Sequence, residues 1–209
     1  PIQSPPSKRA CKIRFSFTKT GSLTLLSHLD LLRLLERALR RSELPISYTG
    51  GFHPLPRIEI ALALPLGVEA LGELMDIEFT KEIDPKELIS TLQPLLPSGF
   101  KLKTGTVIPS DGLKLSKAMR SAIWSFDLKS HNAVNLTSIP WQTAIESLLS
   151  SKELIWKDTN KKGRERVRDF RESLDRLEIL SHLNNSNSND SSIGVRIQLE
   201  SLVEPIGRS

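Results

Sequence analysis

The stretch Lys12-Ile13-Arg14-Phe15-Ser16-Phe17-Thr18 alternates without a break, with Ile13, Phe15 and Phe17 on one side and Arg14 and Ser16 on the other. A period of two predicts a strand with one face buried. Downstream, Ser27-His28-Leu29-Asp30 reads as a capping box with Asp in the Glu/Gln place. Leu29, Leu32, Leu35, Ala38 and Leu39 then recur at helical spacing, so a helix should run to about Ser42, ahead of Pro45. Alternation returns from Arg57 to Leu64, and Leu74 to Phe79 predicts a second strand able to pair with it antiparallel across Gly67–Gly72. Asp84-Pro85 caps and starts a helix with Leu88, Leu92 and Leu95 inward, stopped by Pro97 and Gly99. Phe100 to Ile108 is a fourth strand. The order is β-α-β-β-α-β, the ferredoxin-like plan.

The remainder reads as a degraded second copy. Ala122 to Lys129 alternates, a helix runs from Pro140 to Leu149, and Leu154 to Asp158 is a strand. Val167 to Leu180 is mixed in period, Asn184 to Ser192 is a polar Asn/Ser-rich loop, and Gly194 to Leu202 alternates as a closing strand. The expected fold is therefore α+β, with tandem ferredoxin-like lobes and antiparallel sheets. Residues 1–10 would be a linker or tail, 11–110 the first lobe, and 111–209 a second, less regular lobe.

Composition excludes several classes. With 38% hydrophobic and 25% charged residues over 209 positions, the chain can bury a core and is not of disordered type. No apolar run reaches the roughly 18 residues a membrane helix needs, so no membrane contact is expected. The start lacks a secretory apolar stretch, and it begins at Pro1 and not at Met, as a piece of a longer polypeptide would. Cys11 is the lone cysteine, which removes an internal disulfide, a multi-Cys zinc site or an iron–sulfur cluster held by this segment. A reducing, cytoplasmic compartment is the matching expectation.

The net charge of +5 is unevenly placed. Lys8 to Arg41 holds nine Lys or Arg against two acids, Glu59 to Glu87 eight acids against two Lys, and Lys157 to Arg171 seven basic residues against three acids. Two basic patches around an acidic belt favour an anionic partner, nucleic acid first. Arg33, Arg37 and Arg41 follow one another at i, i+4 and i+8, with Arg40 beside them, a stripe able to follow successive phosphates. The plainer alternative is a solvated face with Glu36–Arg40 as an i,i+4 pair.

The loop Gly50-Gly51-Phe52-His53-Pro54-Leu55-Pro56-Arg57 offers two glycines for close backbone approach and a stiffened run behind them. Phe52 could stack on a base, and His53 and Arg57 could hold a phosphate. The alternative is a rigid connector whose Phe52 plugs the core. His28 stands in a first helical turn, whose dipole disfavours an imidazolium and so suits a general base. His28 and His53 are the two catalytic candidates, with a cleft between this loop and the helix start expected; together they are a weak metal pair without further ligands. Lys161 to Arg171, with Lys161, Lys162, Arg164, Arg166 and Arg168, forms a basic hairpin-like turn in which the alternating arginines would share one strand face and Phe170 interleaves an aromatic, or else a solvated loop. No P-loop, Rossmann glycine pattern, G-x-S-x-G or HExxH is present.

Several of these stretches carry a resemblance: Ser27-His28-Leu29-Asp30, Arg37-Ala38-Leu39-Arg40-Arg41, Tyr48-Thr49-Gly50-Gly51-Phe52-His53-Pro54-Leu55-Pro56-Arg57-Ile58, Leu64-Pro65-Leu66-Gly67 and Glu73-Leu74-Met75-Asp76-Ile77. Through residues 12–108, and more loosely to the closing strand, the chain resembles the radical-SAM-linked domain of unknown function. That domain is found at the C-terminus of, or beside, cobalamin-binding radical SAM proteins; the Gly50–Ile58 form resembles its cyanobacterial branch. The resemblance implies a catalytic partner, in cis or in trans, that uses a 4Fe–4S cluster, S-adenosylmethionine and cobalamin, with no cofactor in this segment. It also implies a link to RNA or a ribonucleoprotein. The leading expectation is a non-catalytic domain that binds such a substrate through Arg33, Arg37, Arg40, Arg41, Phe52, His53, Arg57 and the Lys161–Arg171 turn. The alternatives are a metal-independent ribonuclease with a His general base, and a purely structural docking domain for the partner.

Overall fold

The computed structural model describes residues 4–109, 112–129, 139–159, 163–184 and 193–202. The chain divides into two compact units, Pro1–Ala118 and Met119–Ser209.

The first unit runs β1 (Cys11–Lys19), a short 3-10 turn (Gly21–Leu25), α1 (His28–Arg41), β2 (Ile58–Ile60), β3 (Ala70–Phe79), α2 (Pro85–Leu92), β4 (Phe100–Ile108) and a single-turn helix α3 (Leu115–Ala118). Its sheet order is β2-β3-β1-β4, and every pair is antiparallel. The β-α-β-β-α-β order read from the sequence is thus observed, with β2 shorter and β3 longer than their apolar patterns predict. The alternation of β1 buries Ile13, Phe15 and Phe17, which join Met75, Ile77, Phe79, Phe100 and Leu102 beneath α1 and α2. Phe17 and Phe100 stack at 4.8 Å. Within α1 the buried residues are Leu31, Leu35, Ala38 and Leu39. Leu29, expected inward, is 63% exposed, and Leu31 takes its place because a 100° step per residue sets Leu29 on the arginine side of the helix.

Local chemistry fixes the ends. The Ser27 hydroxyl accepts from the Asp30 amide at 3.2 Å and donates to the Asp30 carboxylate at 2.6 Å. That hydroxyl, with Arg33 behind it, holds the Asp30 carboxyl below the usual range. Asp84 caps α2 at the Lys86 amide, and Pro85 follows as the first helical residue. Gly99 has φ +91°, and its carbonyl accepts from the Thr20 amide; a Cβ there would stand 2.5 Å from the Thr20 carbonyl oxygen. Residues Ser4–Ala10, expected as a tail, are held: Ser4 pairs with Gly51 in both directions, and Ser7 and Ala10 donate to Tyr48 and Phe79.

The second unit runs β5 (Ser121–Lys129), α4 (Trp141–Ser150), β6 (Ile155–Thr159), β7 (Glu165–Asp169), β8 (Leu174–Asn184) and β9 (Ile193–Leu202). β5, β9 and β8 form one antiparallel sheet in that order, while β6 and β7 form a separate hairpin. Because β5 and β8 both run antiparallel to the β9 between them, β5-α4-β8, with the β6–β7 hairpin inserted before β8, matches β1-α1-β2 of the first unit. The match stops there. No second helix follows among the described residues, and the mixed stretch 167–180 resolves into parts of two strands. The α+β class with antiparallel sheets holds; the described residues do not confirm the tandem repetition of the whole ferredoxin-like plan.

Candidate functional site

Pairing β1 with β3 brings the basic segment against the acidic belt. Arg14 sits opposite Asp76 and donates to both carboxylate oxygens, at 2.8 and 2.9 Å. Glu78 lies 3.2 Å from Arg9 and 4.0 Å from Arg57. Arg9 and Arg14, two of the nine basic residues between Lys8 and Arg41, are thus paired with acids of the belt, and four of the other seven are arginines on the exposed face of α1.

That face carries four arginines. Arg33 pairs with Asp30 at 3.1 Å, and Arg40 pairs with Glu36 at 2.9 Å. Arg37 gives its Nε to the Arg33 carbonyl, and neither Arg37 nor Arg41 meets an acid among the described residues. Arg40 also reaches beyond the helix. It donates to the Pro54 carbonyl at 2.9 Å and lies 5.2 Å from the centre of the Tyr48 ring. It fastens the Gly50–Arg57 loop to the last turns of α1.

This contact corrects the expected cleft. His28 begins α1 and Arg40 lies twelve residues on, about 18 Å along the axis at 1.5 Å per residue. The loop is therefore held at the end of the helix remote from His28, and His28 and His53 are not brought into one site. Neither imidazole meets an acid or a hydrogen-bond partner among the described residues. Gly51 takes a positive φ, +108°. The backbone approached by the two glycines is the chain's own: a Cβ on Gly50 would meet Pro6 and the Ser4 carbonyl. Phe52 is 56% exposed and does not plug the core, and His53 and Leu55 are exposed beside it. Arg57 is turned away, half-buried against Glu78, and does not join the arginines of α1.

In the second unit, Arg166 and Arg168 lie on one face of β7, and Arg164 just precedes the strand. Arg166 is clamped by Asp158 through bonds of 2.9 and 2.6 Å. Lys161 and Lys162 lie outside the described residues, as does His131. Arg171 is structural: its guanidinium donates to the Leu149 and Ser151 carbonyls at the C-terminus of α4, where a cation is favoured, and to the Leu174 carbonyl at the start of β8. Trp156, absent from the residues that the sequence singles out, stands directly opposite Arg168. The strand at Leu154–Asp158 contains the signal, but only its pairing with the basic segment gives the tryptophan a neighbour.

Among the described residues no group of three or more His, Cys, Asp or Glu side chains is placed to hold a metal ion. Cys11 is buried at the start of β1, and burial pushes its thiol up. No helix among the described residues is long and apolar enough to cross a membrane.

Compared with known families, residues 12–204 match the one described as an uncharacterized protein conserved in bacteria (DUF2344). The chain belongs to this family. The match spans both units, so the DUF2344 domain includes the β6–β7 hairpin as well as the α1 face. No curated protein matches the chain.

Proposed function

We propose that this chain is an accessory, non-catalytic domain of a cytoplasmic radical SAM system, and that it binds RNA or a ribonucleoprotein substrate for its catalytic partner. The link to the partner rests on the sequence resemblance set out above. In this reading the partner, and not this segment, holds the 4Fe–4S cluster, S-adenosylmethionine and cobalamin.

The observation that carries RNA binding is the pair Arg37 and Arg41. They are exposed on one face of α1, without an acidic partner among the described residues. Exposed Phe52 and His53 sit on the loop that Arg40 ties to the same end of the helix. Guanidinium groups i and i+4 apart on a helix can meet successive phosphates, and an exposed ring beside them can take a base.

Titration of the full chain with single-stranded RNA across a salt series tests this. Each phosphate contact contributes a slope of about −0.7 in log affinity against log salt. Arg37→Ala should reduce the magnitude of the slope by somewhat under one unit and weaken all sequences alike, because phosphate contacts carry no sequence information. Absence of RNA binding at low salt, or binding indifferent to salt and to Arg37→Ala, would leave a docking surface for the catalytic partner as the better reading.

A further inference from the structure

We infer that the Trp156 face of the β6–β7 hairpin is a second, separate site that takes unpaired nucleotides of a single-stranded RNA, with Trp156 stacking on a base and Arg168 beside it for the phosphate. The inference rests on the RNA-binding reading above and narrows its ligand.

The register defines the face. Trp156 pairs with Arg168 and Asp158 with Arg166, and directly opposed residues of an antiparallel pair point to the same side. Trp156 is 58% exposed, and Arg168 is exposed without an acidic partner among the described residues. Phe170 follows two positions beyond Arg168, in step with the same face, and is exposed as well. The Arg166–Asp158 clamp leaves this side with one excess positive charge.

The other side of the hairpin has the opposite character. Ile155, Lys157, Thr159, Glu165, Val167 and Asp169 alternate onto it, so its acids outnumber its base, and its exposed side chains mix the aliphatic Ile155 and Val167 with Lys157, Thr159 and Glu165, with no aromatic ring. The Trp156 side instead offers a large π surface flanked by guanidinium groups, the combination that single-stranded nucleic acid recognition uses: a ring for the base, which every nucleotide provides, and cations for the backbone. A duplex keeps its bases stacked and inaccessible, so the ring favours the unpaired strand.

The test uses the full chain with a labelled oligouridine and, separately, a blunt RNA duplex. Trp156→Leu should weaken oligouridine binding by about tenfold or more and change duplex binding little. Trp156→Phe, which keeps a ring, should retain most of the oligouridine affinity. Circular dichroism of both variants should match the parent, since the side chain is largely exposed; if Trp156→Leu misfolds, the comparison of Trp156→Phe with Arg168→Gln carries the test, the first near parental and the second weakened. Oligouridine affinity untouched by Trp156→Leu, or an equal loss on oligouridine and duplex, overturns the stacking site while the α1 reading stands. A parent chain that binds neither RNA overturns both, and the salt slope of Arg37→Ala tells the two failures apart.

Discussion

The two units start from the same strand–helix–strand arrangement and diverge in how they cover their sheets. In the first, α1 and α2 lie over one face, and Phe15, Phe17, Phe79, Leu35, Leu88 and Leu92 are fully buried. In the second, the described core amounts to Ile145, Leu174 and Val195, while Phe126, Ile155, Trp156, Val167 and Leu180 stay exposed. The one ten-residue helix among the described residues of this unit cannot by itself shield a three-stranded sheet and a hairpin. A repeated topology therefore does not repeat its energetics: the first unit is built around its core, while the second leaves much of its apolar surface on the outside.

All three tryptophans, Trp124, Trp141 and Trp156, belong to the second unit, so their fluorescence follows that unit alone while circular dichroism follows both. The strongest test is Leu35→Ala, which removes a fully buried side chain of α1 and should cost about 2–5 kcal/mol. In urea it should shift the circular dichroism transition and leave the tryptophan transition in place; a joint shift would mean that the units unfold as one. Next comes Gly99→Ala. It forces an L side chain to φ +91° against the Thr20 carbonyl and should cost about 1–3 kcal/mol, again in the dichroism transition only. The smallest effect belongs to the second unit: Phe126→Ser, at a half-exposed site, should lower the tryptophan transition by only about 1 kcal/mol. A large loss there would show that Phe126 is covered in solution and would break the contrast between the units.

The first unit is largely legible in the sequence because its signals agree. The alternation of β1, the Ser27 cap, the Asp84-Pro85 start and the Gly99 stop all have their expected structural counterparts. The inward face of α1 is less so, since leucines at 29, 31, 32, 34, 35 and 39 leave the first turns apolar nearly all round, and only the sheet beneath decides which are covered. The candidate site suffers when charge is read by segment. Counting Lys8 to Arg41 as one block hides that Arg14 is a neighbour of Asp76, sixty-two residues away, and that Arg9 pairs with Glu78. The expected meeting of His28 and His53 fails for a related reason: the loop's attachment depends on Arg40 reaching Pro54, a side-chain contact that no spacing rule announces. In the second unit the arginine alternation is visible, but the aromatic opposite it requires knowing which strand pairs with which.

Lys19 closes β1 with its side chain inside the first unit, 2% exposed, its amine donating to the Leu26 carbonyl at 3.2 Å. Burial pushes that amine below its ordinary range, and its partner is a backbone carbonyl. An amine so enclosed is out of reach of any acylating reagent while the strand end and the turn after it stay together. Its modification is therefore gated by opening of that corner, whereas the exposed lysines are labelled at the speed of the reagent. The chain carries its own timer: the lag of Lys19 behind the other lysines in a labelling course is a direct measure of how often this end of the first unit comes apart.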